Sequence, residues 1–214
     1  MHEQEGVIKY QLKHSHEALT DDLSLAEINA WRNILYKLHL IGQDPCRYGG
    51  LGYGNLSQRI RSDSQQFIIS GTQTGHLEQL SRHDYCVITR ASPKNNAIEA
   101  LGECQPSSEA LTHASVYAQD ASIQAVIHVH SPEIWRQTQT LSLAHTAAEI
   151  PYGTPEMAEA VARLLQDPLM KRSALFTMLG HEDGVISFGR SLAEAAQVLI
   201  NVLVRALMLC TPLT

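Results

Sequence analysis

Gln124-Ala-Val-Ile-His-Val-His-Ser131 is a short apolar run that carries two histidines at alternate positions. Read as a β-strand, its two-residue side-chain period sets His128 and His130 on one face. Same-face neighbours on a strand stand about 7 Å apart at their bases. That separation lets both rings converge on one cation at about 2.0–2.1 Å per bond. Histidine is also a common polar residue on the outer face of an edge strand, so the pair by itself leaves both readings open. Two donors do not complete a metal site, and the rest of the chain must supply another ligand and a proton-transfer group.

Working outward, Asn55–Ile60, Gln66–Ser70, Tyr85–Thr89 and Ala97–Leu101 are short, partly alternating runs separated by polar or Pro-containing segments. They predict successive antiparallel strands. Ala174–Leu179 and Gly184–Phe188 predict two more, joined by a polar turn. Ser24-Leu-Ala-Glu27 has the form of a capping box, followed by Ile28, Trp31, Leu35 and Leu38 at helical spacing. Pro106-Ser-Ser-Glu109 opens a helix to about Ala118, Pro155 opens another through about Leu165, and Ser191 caps a last one. The apolar stretch Ala195–Cys210 includes Gln197, Asn201 and Arg205 and falls short of the ~20 residues of a membrane span, so it reads as a buried helix. The mixture predicts an α/β or α+β layered arrangement. At 214 residues one domain over 1–214 is expected, with 1–22 as a loosely ordered N-terminal extension.

A net charge of −6 gives no electrostatic reason to expect nucleic acid or an anionic membrane surface, and 44% hydrophobic residues suffice for a sizeable core. The expected partner is a small molecule. Met-His-Glu-Gln-Glu-Gly at the start lacks the basic and apolar regions of a secretory signal. The four cysteines, at 46, 86, 104 and 210, form no C-x-x-C pair, so a reducing cytoplasm fits best.

His181 lies in the turn Leu179-Gly-His-Glu-Asp-Gly184, where it either points into a cleft or sits in solvent as Gly, Asp and Glu turns do. Spacing does not rank it above the other histidines of the eleven. Glu109 follows two serines at a helix start, where it either caps the helix or faces a site beside free N–H groups. Gly50-Leu-Gly-Tyr-Gly-Asn-Leu-Ser57 either cradles a phosphate or turns a corner, and it lacks the P-loop and dinucleotide spacings.

Taken in order, these segments resemble the class II aldolase/adducin family, whose better-known members are sugar-phosphate aldolases and epimerases. Gly54-Asn-Leu-Ser57 is similar to its Gly-Asn-x-Ser loop, Ile69-Ser-Gly71 to its Ser-Gly turn, Pro106-Ser-Ser-Glu109 to its Ser-Ser-Glu motif, and His128-Val-His-Ser-Pro132 to its His-x-His-Ser-Pro strand. The match runs from about Leu25 to Arg205.

The resemblance implies a three-layer α/β/α sandwich around a largely antiparallel sheet, and a homotetramer with active sites at subunit interfaces. It implies a divalent metal, usually Zn2+, held by His128 and His130, with Glu109 as catalytic acid/base. Asn55, Ser70, Gly71, Ser107 and Ser108 then surround the substrate's phosphate or equivalent group. Counting back from Gly184-Val185, Asp183 stands where members carry a third histidine, two positions after His181. His181 is assigned as third ligand because it completes a three-nitrogen set, with Asp183 as the alternative. The C-terminal tail offers no tyrosine of the kind aldolase members present at the subunit boundary. The implied activity is that of a metal-dependent aldolase-type lyase acting on a small hydroxy-carbonyl substrate through a metal-stabilised enediolate. A sugar-phosphate epimerase, dehydratase or decarboxylase, or a non-catalytic adducin-like domain, are the alternatives.

Overall fold

The strands expected from alternation join one large sheet in the computed structural model, which describes residues 6–167, 170 and 173–210. In chain order they are β1 (Gln11–Ser15), β2 (Gly42–Gln43), β3 (Gly52–Tyr53), β4 (Asn55–Arg59), β5 (Phe67–Ser70), β6 (Tyr85–Ser92), β7 (Ala97–Leu101), β8 (Ala125–His130), β9 (Ala144–Thr146), β10 (Leu175–Met178) and β11 (Gly184–Gly189). The sheet runs β1-β7-β6-β5-β4-β8-β11-β10-β9, and β2 pairs only with β3. Its pairings are antiparallel apart from β1 on β7 and β9 on β10 at the two edges. The helices are α1 (Ala26–Lys37), α2 (Ala110–Tyr117), α3 (Pro132–Arg136), α4 (Pro155–Gln166) and α5 (Leu192–Cys210).

Central β8 is buried along its whole length, and its alternation divides two apolar cores. Ala125, Ile127 and Val129 join a cluster with Ile28 and Leu35 of α1, Ile134 of α3 and Leu199 of α5. Val126 joins the other, with Leu111 and Val116 of α2 and Met157 and Val161 of α4. By parity His128 and His130 share the side of Val126, where α2 begins.

Local signals behave unevenly. Thr154 accepts the Met157 N–H at 3.2 Å with Pro155 in the first turn, and Ser191 accepts the Glu194 N–H at 3.1 Å, so both helices start where their caps indicate. The capping box at Ser24 is corrected: α1 starts one residue late, with Leu25 at the cap position and no side-chain capping bond. Within the stretch expected as an N-terminal extension, Gln11–Ser15 is strand β1, held in register from Gln11 opposite Ala97 to Ser15 opposite Leu101. Its mixed polar sequence hides an edge strand whose hydrogen bonds go to β7 on one side only. Residues 1–5 of that stretch lie outside the described residues.

The last helix, expected as a buried one, is buried along one face. Leu192, Ala195, Ala196, Leu199, Val202 and Ala206 face the core, while Val204, Leu207, Met208 and Leu209 are exposed. By length and composition its 19 residues suffice to cross a membrane, but its packed face lies against β11 and β8.

Candidate metal and substrate site

Register brings the histidines together. In the β8–β11 ladder Gly184 stands opposite His130 and Ile186 opposite His128, so the turn preceding Gly184 sits at the histidine end of β8. His181 in that turn is 4% exposed, against 0% for His128 and 1% for His130. One ligand atom from each lies within 4.8 Å of those of the other two. The rings of His128 and His181 stack at 5.1 Å, and His130 meets both edge-on at 5.0 and 4.8 Å.

The donor chemistry fits a divalent ion. His128 Nδ1 lies 3.3 Å from the Val185 carbonyl oxygen, which only accepts, so the proton belongs on Nδ1. Its buried Nε2 is then a lone pair with no hydrogen-bond partner among the described residues, the arrangement a metal-binding imidazole requires. Burial first, and His181 next, hold both His128 and His130 well below the usual histidine range, so both stay neutral. Nitrogens around one tetrahedral ion at about 2.1 Å stand roughly 3.4 Å apart.

Glu109 occupies the position before α2, is 1% exposed, and makes no capping bond with its side chain. Its Oε1 lies 3.5 Å from His181 Nδ1. The backbone supports this placement, since Ser107 Oγ accepts the Glu109 N–H at 3.2 Å. The carboxylate therefore does not cap the helix and meets the His181 ring instead.

Asn55 stands opposite His128 on β4. With Gly71, Ser107 and Ser108 it lines a small cavity beside the histidines' strand, which Thr72 and Thr74 extend. Gly71 must lack a side chain, because a Cβ there would lie 2.6 Å from Cys104 Sγ. Ser70 is placed differently: it does not line the cavity, and its Oγ accepts the Leu56 N–H at 3.4 Å, tying β5 to β4. A larger cleft at the opposite end of β8, beside Ile123, Phe188 and Arg190, contains none of the expected site residues.

Asp183 has another engagement. Tyr48 donates its hydroxyl proton to Asp183 Oδ2 at 2.7 Å, and Arg47 lies 3.5 Å from the same oxygen. The Tyr48 ring in turn packs edge-on against His130 at 4.5 Å, and Tyr152 stacks on His181 at 4.6 Å. Burial, and then the Asp183 carboxylate, push the Tyr48 phenol up, so it keeps its proton. Neither tyrosine was legible as a neighbour of the histidines, since no local motif marks a contact made across so much sequence.

A methylthioribulose-1-phosphate dehydratase of Xanthomonas oryzae pv. oryzae is 24% identical over 165 residues, 66% of this chain and 68% of that protein. An L-fuculose 1-phosphate aldolase superposes with a TM-score of 0.64 at 19% identity, covering 90% of this chain and 87% of the other. The L-fuculose-1-phosphate aldolase of Thermus thermophilus gives 0.63 at 18% identity, covering 86% and 91%. These likenesses show the fold, an α/β arrangement with a large, mostly antiparallel sheet. Residues 47–209 match the model of the class II aldolase and adducin N-terminal domain, and the span takes in Asn55, Glu109 and all three histidines. By that match the chain belongs to the class II aldolase/adducin family.

Proposed function

We propose that this chain is a metal-dependent lyase of the aldolase type acting on a small, phosphorylated hydroxy-carbonyl compound. The observation that carries the reading is the convergence of His128, His130 and His181 beside the uncapped carboxylate of Glu109. The three histidines are the ligands, and Zn2+ suits three neutral imidazoles. When bound, such an ion polarises a carbonyl and offsets negative charge that gathers on its oxygen. In cleavage Glu109 takes the proton from the hydroxyl on the carbon β to that carbonyl, the bond between the α and β carbons breaks to release an aldehyde, and Glu109 returns the proton to the α carbon of the other fragment. Asn55, Gly71, Ser107 and Ser108 orient the phosphate end through side-chain and backbone donors, with Ser70 holding β5 in place behind them.

A second reading is favoured by the dehydratase relative. There Glu109 removes a proton from carbon and a hydroxyl leaves from the neighbouring carbon as water, with no carbon–carbon bond broken. A non-catalytic, adducin-like role has less support, because ligands and carboxylate are all present and buried. The proposal further includes one domain over 1–214, helices layered on both sides of the sheet, a homotetramer with sites at its interfaces, and a cytoplasmic location.

The test is to incubate zinc-loaded protein with fuculose 1-phosphate and with methylthioribulose 1-phosphate and identify products by NMR. Cleavage into two carbonyl fragments supports the aldolase. Loss of water with the carbon chain intact supports the dehydratase. Turnover that persists undiminished in Glu109→Gln removes the proposed acid/base.

A further inference from the structure

The segment before β1 meets the site at three points. Gly6 borders the cavity of Asn55, Gly71, Ser107 and Ser108. Its φ is +72°, and a Cβ there would collide with Gln73 Nε2. The same Gln73 side chain accepts the Gly52 N–H at 3.0 Å through Oε1, so one amide spans the glycine-rich loop and the N-terminal backbone. Val7 donates its N–H to the Tyr152 hydroxyl at 3.1 Å, and that hydroxyl lies 3.4 Å from the Val7 carbonyl. Tyr152 is the fully buried ring stacked on His181. Tyr10 donates to the Ser107 carbonyl at 2.8 Å, and from Gln11 onward β1 anchors the segment to β7.

Among the described residues, none of those lining the cavity carries a formal charge, so an anion there meets neutral donors from them. Hydrogen bonds of that kind strengthen as water is excluded. Backbone at Gly6 excludes water without a side chain that would fill the space.

We infer that Gly6–Tyr10 is a wall of the anion pocket and a specificity-determining part of the site. Its tethers to Ser107 and to Tyr152 set the spacing between the pocket and His181, and Gly6 limits the size of the group admitted. This rests on the reading that the cavity takes the substrate's phosphate end. The segment is a positioning element and takes no part in bond making.

The experiment titrates inorganic phosphate into the full-length, zinc-loaded protein by calorimetry, with zinc content and melting temperature measured in parallel. Gly6→Val places bulk at the wall and against Gln73. Tyr152→Phe keeps the ring on His181 and cuts the Val7 tether. Both variants displace the wall and readmit water to the neutral donors, so the phosphate Kd rises by roughly tenfold, about 1.4 kcal/mol, while zinc content holds and the melting temperature falls by no more than about 4 °C, the effect of modest backbone strain at Gly6. Unchanged phosphate affinity in both variants overturns the wall. Parallel loss of zinc and of folding in both makes the segment a general support and overturns its specificity role. Absence of phosphate binding by the unaltered protein overturns the pocket reading and the wall with it.

Discussion

Acidification should destabilise the fold through His113, which lies in α2 one helical turn beyond Glu109 and is 0% exposed. Its Nδ1 shares a 2.7 Å hydrogen bond with Ser57 Oγ, which also lies 2.8 Å from the Tyr117 hydroxyl. Burial holds its pKa down to about 3. An unfolded histidine titrates near ~6.5, so between those values the unfolded chain binds a proton that the folded chain refuses. Stability therefore falls as pH drops through ~6.5 and continues to fall toward ~3, with a slope approaching ~1.4 kcal/mol per pH unit. From pH 7 to pH 5 this amounts to about 2 kcal/mol. Urea unfolding of chelator-treated protein at pH 7, 6 and 5 measures it, with His113→Gln as the comparison. Gln retains polarity toward Ser57 but does not titrate. His128 and His130 add to the slope in both proteins, so the difference between the two isolates His113, apart from coupling to His128. Equal pH dependence in the two proteins would refute the reasoning.

Glu109→Gln should keep the bound ion and lower turnover by about a hundredfold or more, and metal analysis beside the activity assay separates the two effects. Tyr48→Phe removes the bond to Asp183 and leaves the ring on His130. Groups that orient ligands are worth about tenfold or more in metal affinity, so chelator competition should show a loss of that size, and no loss would show that the tyrosine braces nothing. Arg32 is 2% exposed and donates to the Glu78 and Thr74 carbonyls, each at 2.9 Å, pinning the loop after Gly71. Arg32→Met should cost about 3 kcal/mol by orphaning both carbonyls. For a chain of this size that lowers Tm by roughly 6–12 °C in calorimetry, and an unchanged Tm would contradict the pinning role.

Period-two runs gave away the strands from β4 to β8 and the pair β10 and β11, because those strands pack against apolar cores and carry the pattern that burial demands. Strands β1 and β9 escaped for the opposite reason: they are edges, and β9 is three residues long. Short α3 escaped too, yet it explains part of a motif. Ser131 accepts the Ile134 N–H at 3.3 Å with Pro132 in the first turn, so the Ser-Pro that follows the histidines serves to start a helix.

The same-face placement of His128 and His130 was legible from spacing alone. The arrival of His181 depends on the pairing of Gly184 with His130, a tertiary fact that no local pattern encodes. Asp183 matched the family position by count, but the fold directs its carboxylate to Tyr48 and Arg47. The Tyr152 ring and the Gly6 backbone were invisible as parts of the site because their contacts span most of the chain.

Metal stoichiometry is the most direct test of the site. Full-length protein stripped with chelator and titrated with Zn2+ should take up one ion per chain, measured by plasma mass spectrometry after desalting, and His128→Ala and His181→Ala should each abolish tight uptake while the fold persists. Failure of the unaltered protein to retain an ion, or equal retention by both variants, would contradict a metal centre built from His128, His130 and His181.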